Sequence, residues 1–301
     1  MTEVRTESQS FIKNYIRLHN GMKLPSVGIG TYQVRNYDDI YTLVESSLAN
    51  GYKLFDTAAV YRNEAYLGLA LKELLPKYNL DREDIFVTTK LSPSCHGLHI
   101  VSKALEESLN NLAMEYVDMY MIHFPGTAGM PCDSPNNKNL RYDTWTAMNK
   151  LCDEGKTKCI GVCNFTKNHI SQLLESHTSV PVVNQVELHP FYKQKELLEY
   201  CRERDICVQA YCSFGGASKG SLDLFANTVV KNIASIHKVT PAQVLLVWAL
   251  QQGIAVIPKS TSPNRICENA HLSFQLTPED MQALSSLNVY KKYAWDPAAV
   301  L

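Results

Sequence analysis

Short apolar runs punctuate the chain at regular intervals. After residue 50 they read YKLFDTA (52–58), IFVTTKL (85–91), VDMYMIHF (117–124), CIGVCNF (159–165), PVVNQVEL (181–188), CVQAYCSF (207–214), IAVIPKS (254–260) and AHLSF (270–274). Most are continuous rather than alternating, the pattern of strands buried on both faces of a parallel sheet. Segments with apolar residues at helical spacing lie between them. EAYLGLALKELLPKY follows the first run, HIVSKALEESLNNLAM the second, TWTAMNKLCDEG the third, TKNHISQLLESH the fourth and KELLEYCRERD the fifth. TPAQVLLVWALQQG and TPEDMQALSSLN each open on Thr-Pro, a helix start, and the former closes on Gly253. Strand and helix thus alternate about eight times, which predicts an α/β fold of the (β/α)8 TIM-barrel kind, one domain over 1–301. A doubly wound open sheet would want a GxGxxG turn after an early strand, and GIGTY at 28–32 is not that motif. Ahead of the barrel, YIRLHNGMKLPSVGIG reads as a β-hairpin turning at His19-Asn20-Gly21, placed to cap the barrel floor.

Composition narrows the function classes. Of 301 residues 45% are hydrophobic and 20% charged, with a net charge of −1, so the chain can bury a large core. No basic stripe marks a nucleic-acid partner, and no apolar run reaches the roughly 18 residues that span a bilayer. The polar start, MTEVRTESQS, does not read as a signal peptide, and residues 1–14 read as a disordered lead-in. Nine cysteines are scattered without a CxxC pair, and the histidines show no ligand spacing. That predicts neither a disulfide framework nor a metal site, and implies a reduced, cytoplasmic protein.

Candidate chemistry falls where apolar runs end. In a barrel, the reactive residues sit at the C-terminal ends of the strands. Asp56, Tyr61, Lys90 and His123 all lie at such ends or on the loop beyond. Singly, each has an ordinary reading as a helix cap, a packing ring, a solvated cation or a hydrogen-bonded core histidine. Gathered at one mouth, they form a proton donor. A free tyrosine is a poor acid at neutral pH, and a nearby ammonium lowers its pKa. An aspartate paired with the lysine would hold it charged, and a neutral histidine would orient a substrate oxygen.

In GIGTY, FDTAAVYRNE, TTKL, IHFP, GVCNF, NQVELHP and IPKSTSPNRICEN, in that order from about residue 17 to 290, the chain resembles the aldo-keto reductases. The resemblance implies a (β/α)8 barrel that reduces carbonyls with NADPH, with Asp56, Tyr61, Lys90 and His123 as the catalytic set. It places Asn164 and Gln185 on the nicotinamide carboxamide. Cys163 stands where the family has serine, and a thiol is the weaker hydrogen-bonding group. Tyr211 would stack on the nicotinamide, with Cys212 and Phe214 following on the pyrophosphate loop, where the family more often has a Tyr-Ser-Pro-Leu-Gly run. Thr31 and Tyr32 fall where the first loop meets cofactor and substrate. Lys259, Ser260 and Arg265 would share the 2′-phosphate of NADPH or NADP+, and Glu268 and Asn269 would reach the adenine.

The substrate pocket is expected between Tyr32, Tyr61, His123, Phe124 and Trp295, beneath a mobile lid formed by residues 126–144 and beside a short C-terminal tail, 289–301. Members of the family acting on steroids often have a longer tail, so the resemblance favours small aldehydes and ketones over polycyclic substrates. The expected partner is thus a small carbonyl compound, with no nucleic acid and no membrane, and the resemblance implies a monomer. An NADPH-binding barrel with a structural or regulatory role is the alternative, supported by the altered GVCNF and AYCSFGG runs. A phosphate-binding isomerase barrel would have no use for Asn164, Gln185 and Tyr211.

Overall fold

The computed structural model describes residues 14–301, so the expected lead-in of residues 1–14 lies, but for its last residue, outside the described residues. The hairpin comes first, β1 (Tyr15–Arg17) against β2 (Lys23–Pro25). Eight parallel strands follow: β3 (Ile29–Gly30), β4 (Leu54–Asp56), β5 (Phe86–Leu91), β6 (Val117–Ile122), β7 (Thr157–Cys163), β8 (Val183–Glu187), β9 (Cys207–Tyr211) and β10 (Ala255–Val256). Each pairs with the next. The sheet closes through Gly28 N–H to Val256 O (2.8 Å), Val256 N–H to Ser26 O (2.9 Å) and Gly30 N–H to Pro258 O (3.0 Å). The helices are α1 (Tyr37–Ala49), α2 (Glu64–Leu74), α3 (Val101–Leu112), α4 (Asn136–Asp153), α5 (Lys167–Leu174) and α6 (Lys195–Arg202). They continue as α7 (Asp223–Ala226), α8 (Thr228–His237), α9 (Pro241–Leu250), α10 (Pro263–Ala270) and α11 (Pro278–Ser285). This is the expected (β/α)8 barrel.

Every residue of β5 and β6 is buried, as continuous apolar runs between barrel lumen and helix layer should be. Thr166, Thr240 and Thr277 cap α5, α9 and α11 through reciprocal side-chain and backbone bonds. The hairpin seals the floor. Leu18 and Leu24 pack on Leu54, Phe86, Met119, Met121 and Ile257 inside the barrel. A second, larger core lies between barrel and helices.

Three expectations are corrected. AHLSF (270–274) is not a strand: Ala270 ends α10, and Leu272 and Phe274 pack on the outer layer. The missing barrel strand is Ile29–Gly30, within the segment assigned to the hairpin. Two residues cannot display a period, so this strand exists through pairing rather than pattern. Asp56, Lys90 and His123 therefore follow the second, third and fourth barrel strands. The lid expected over 126–144 is also shorter, because α4 begins at Asn136. Tertiary bonds hold the remainder. Asn137 accepts from Thr127 N–H (3.0 Å) and donates to Pro131 O (2.9 Å), and Arg141, fully buried, donates to Pro125 O (3.0 Å) and Gln172 Oε1 (2.6 Å). Among the described residues no single helix is long and apolar enough to cross a membrane.

Candidate active site

A cavity of about 1440 Å³ opens at the C-terminal ends of the strands. Pockets for drug-sized ligands usually hold about 300–1,000 Å³, so this one suits a dinucleotide together with a substrate. At one end β4 delivers Asp56 and β5 delivers Lys90, both buried. Lys90 Nζ donates to Asp56 Oδ1 at 2.5 Å and to Thr57 O at 2.9 Å. The other Asp56 oxygen accepts from Gln185 Nε2 at 2.8 Å, and Gln185 Nε2 also donates to Gln209 Oε1 at 2.8 Å. Register explains this chain of contacts, because Cys163, Gln185 and Gln209 face one another across β7, β8 and β9.

Tyr61 stands above the ion pair. The Lys90 ammonium lies 5.2 Å from its ring centroid, and the ring makes edge contacts with Tyr32 (5.2 Å) and His123 (5.6 Å). Burial pushes the Tyr61 phenol well above its ordinary range, and the Asp56 carboxylate adds to the rise. The expected lowering by Lys90 is not what this geometry produces. Asp56 at 2.5 Å neutralises most of the ammonium's field, and desolvation of the phenolate wins. The phenol is consequently fully protonated at neutral pH, the state a proton donor needs. Burial, and then Lys90, hold His123 well below its usual range, so its imidazole is neutral.

The residues expected on the nicotinamide side are joined to one another. Asn164 takes a left-handed conformation (φ 63°), accepts from Tyr211 O–H at 2.5 Å and donates to His123 O at 2.9 Å. Cys163 Sγ lies 3.7 Å from Gln185 Oε1 and accepts from Asn164 Nδ2 at 3.2 Å. Burial pushes its thiol up to about 12. Cys212 and Phe214 line the same wall.

At the far end Lys259, Ser260, Arg265, Glu268 and Asn269 line the cavity. Neither Lys259 nor Arg265 has a carboxylate partner among the described residues. Ser262, the N-cap of α10, makes no side-chain cap bond, and Pro263 opens the helix. Two unpaired cations at a helix N-terminus make an anion site.

Three predicted residues do not line the cavity: Lys90, fully buried beneath it as the partner of Asp56, Thr31 and Phe124. The Thr31 hydroxyl donates to Asp56 O at 3.1 Å inside the wall and does not line the cavity. Phe124 lies behind Trp295, 5.8 Å edge-on, rather than on the cavity surface. Tyr32, Tyr61, His123 and Trp295 do line it. Sequence reasoning missed Arg35, Ser262, Leu222 and Phe225, also on the lining. Of these, only Ser262 had a signal, as a Ser-Pro helix start. Among the described residues no three His, Cys, Asp or Glu side chains converge to hold a metal, and all nine cysteines are free.

Residues 26–289 match the Aldo/keto reductase family model. Glyoxal reductase of Bacillus subtilis is 37% identical over 291 residues, covering 96% of this chain and 98% of that protein. The NAD(P)H-dependent D-xylose reductase of Scheffersomyces stipitis is 36% identical over 308 residues, covering 93% and 96%. Among solved structures, MGS-M4, an aldo-keto reductase enzyme from a Medee basin deep-sea metagenome library, superposes with a TM-score of 0.85. It is 35% identical, and the match covers 94% of this chain and 98% of that one.

Proposed function

The chain belongs to the aldo/keto reductase family, and from that premise we propose that it is an NADPH-dependent reductase of aldehydes and ketones with Tyr61 as proton donor. When bound, the cofactor supplies the hydride to the carbonyl carbon. The Tyr61 O–H gives its proton to the carbonyl oxygen and is left as a phenolate. Neutral His123 donates a hydrogen bond that orients the same oxygen. Asp56 screens most of the Lys90 field and keeps the ammonium charged and aimed, so Lys90 offsets only the remaining part of the phenolate's cost as it forms. Asn164, Gln185 and Tyr211 form the nicotinamide wall.

The single observation that carries this reading is the buried Lys90–Asp56 pair beneath Tyr61. A buried ion pair is poor value for stability alone, since apolar replacements are often neutral or stabilising by about 1–4 kcal/mol. Its place under a phenol at a cavity wall is accounted for by catalysis. The unpaired Lys259 and Arg265 at the start of α10 support NADPH over NADH. Two charge-assisted bonds at the low end of about 1.5 kcal/mol each would give a preference of roughly a hundredfold.

The test is cofactor consumption with glyoxal and with benzaldehyde, comparing NADPH with NADH and wild type with Tyr61→Phe. Wild type turns over with NADPH. Loss of the general acid lowers kcat by roughly 10²–10⁴, while the Kd for NADPH stays within about twofold. A wild-type protein that binds NADPH and reduces nothing in a broad carbonyl panel would instead be a cofactor-binding regulator.

A further inference from the structure

Glu187 ends β8 two residues beyond Gln185 and is 1% exposed. Its carboxylate gathers the C-terminal segment. Oε1 accepts from the Tyr293 amide at 2.7 Å and from His189 Nε2–H at 3.0 Å. Oε2 accepts from the Ala294 amide at 2.8 Å and from the Lys292 ammonium at 3.0 Å. Three consecutive residues of the tail therefore end on one buried carboxylate. Burial alone would raise its pKa, but the His189 bond, the tail amides and Lys292 outweigh that and hold it down to about 2. The charge is present throughout the working pH range.

The residue after this clamp is Trp295. Its indole lines the cavity 5.4 Å from the His123 ring. A second tether follows, with His169 Nε2–H on Val300 O at 2.8 Å and Leu301 N–H on Cys132 O at 2.9 Å. The indole N–H has no hydrogen-bond partner among the described residues, so the backbone anchors on either side set where the ring sits. We propose that Glu187 is a positioning residue for substrate binding: it fixes Trp295 as the aromatic wall beside His123 and so sets a preference for flat, apolar carbonyl substrates. This rests on the carbonyl-reductase reading of the site.

Glu187→Gln keeps the shape, removes the charge and replaces one acceptor with a donor facing other donors. Two readouts separate positioning from general damage. The first needs no turnover. Trp145 and Trp248 are 0% and 1% exposed, whereas Trp295 is 49% exposed, so iodide quenching of intrinsic fluorescence reports the tail. The expected change is a quenching constant at least about twofold higher in the variant, as the ring leaves its packed place. The second is a kinetic split. KM for benzaldehyde rises about tenfold with kcat within about threefold, while KM for glyoxal, too small to use the indole face, moves less than about threefold. Trp295→Ala reproduces the benzaldehyde effect. Unchanged quenching together with an unchanged benzaldehyde-to-glyoxal ratio overturns the proposal. If Glu187→Gln does not fold, Lys292→Met loosens the clamp from its outer side and is read the same way, with the same two outcomes. If wild type reduces no carbonyl, the function reading fails on its own, and the quenching comparison decides whether Glu187 holds the tail.

Discussion

Cys163 closes β7 and Asn164 follows it, and between them they show how little slack the proposed cofactor wall has. Asn164 is one of the few residue types that takes a left-handed conformation readily, and both ends of its amide are occupied, by Tyr211 and by the His123 carbonyl. The Gln185 nitrogen is committed to Asp56 and Gln209, which leaves its oxygen with a buried thiol at 3.7 Å as its one donor among the described residues. A serine hydroxyl donates more strongly than a thiol. Cys163→Ser is therefore expected to tighten NADPH binding, and one neutral hydrogen bond corresponds to a Kd about three- to tenfold lower. Fluorescence titration measures it, and an unchanged or weaker Kd would mean the thiol already meets the site's needs. The proposed catalytic residues were legible because each is a polar side chain at or just beyond the end of an apolar run, and barrel topology brings such ends together. Two features were not legible. The strength of the Asp56 screen over Lys90, which leaves the Tyr61 phenol fully protonated, depends on a 2.5 Å contact. The Glu187 clamp joins residues 106 apart in sequence, which no local pattern records.

Among the elements, α1 and β3 differ in how far the sequence displays them. The signals of α1 are plain: an Asn36 cap on Asp39 N–H, two acids in the first turn, and Ile40, Leu43, Val44 and Leu48 on one buried face. The short β3 and the early start of α4 at Asn136 are set by tertiary partners rather than by propensity. Gly68, within α2, shows the same priority in reverse. Gly→Ala inside a helix normally gains up to about 1 kcal/mol. Here a Cβ would stand 2.2 Å from Leu112 O and 2.7 Å from Leu112 Cα, where α2 meets the end of α3. Backbone cannot yield as a side-chain tip can, so overpacking of about 1–3 kcal/mol wins. Gly68→Ala is expected to lower Tm by roughly 2–6 °C. A melt with an unchanged or higher Tm would show that the two helices can separate at no cost.

Across the whole molecule, acid stability follows from groups buried in forms that acid removes. Burial, with the nearby Arg141 cation, holds His96 down to about 4. His169 is also held down to about 4, where burial outweighs its bond to Val300 O. A histidine with a depressed folded pKa leaves stability unaffected above its unfolded value near 6.5. Between about 6.5 and 4 the unfolded chain binds a proton that the folded chain refuses. Stability then falls as pH falls, by about 1.4 kcal/mol per pH unit for each such group. Glu187 acts in a lower window. Its folded pKa of about 2 lies below the ordinary carboxylate value near 4.5, so its contribution, roughly 3 kcal/mol, is present above 4.5 and lost as pH drops toward 2. Urea unfolding across pH 4–7 should therefore show ΔG declining from just below pH 6.5, well before any carboxylate titrates. His123, also held well below its usual range, adds a third term of the same sign, and His96→Leu isolates one of the three. Repacking at the substituted site shifts ΔG by an offset that is constant with pH and leaves the slope untouched. The slope counts protons, so the variant's ΔG should decline less steeply between pH 6 and 4.5, by about 1.4 kcal/mol per unit. An unchanged slope would mean that His96 takes up its proton in the folded state at an ordinary pH, and that burial beside Arg141 does not keep it neutral.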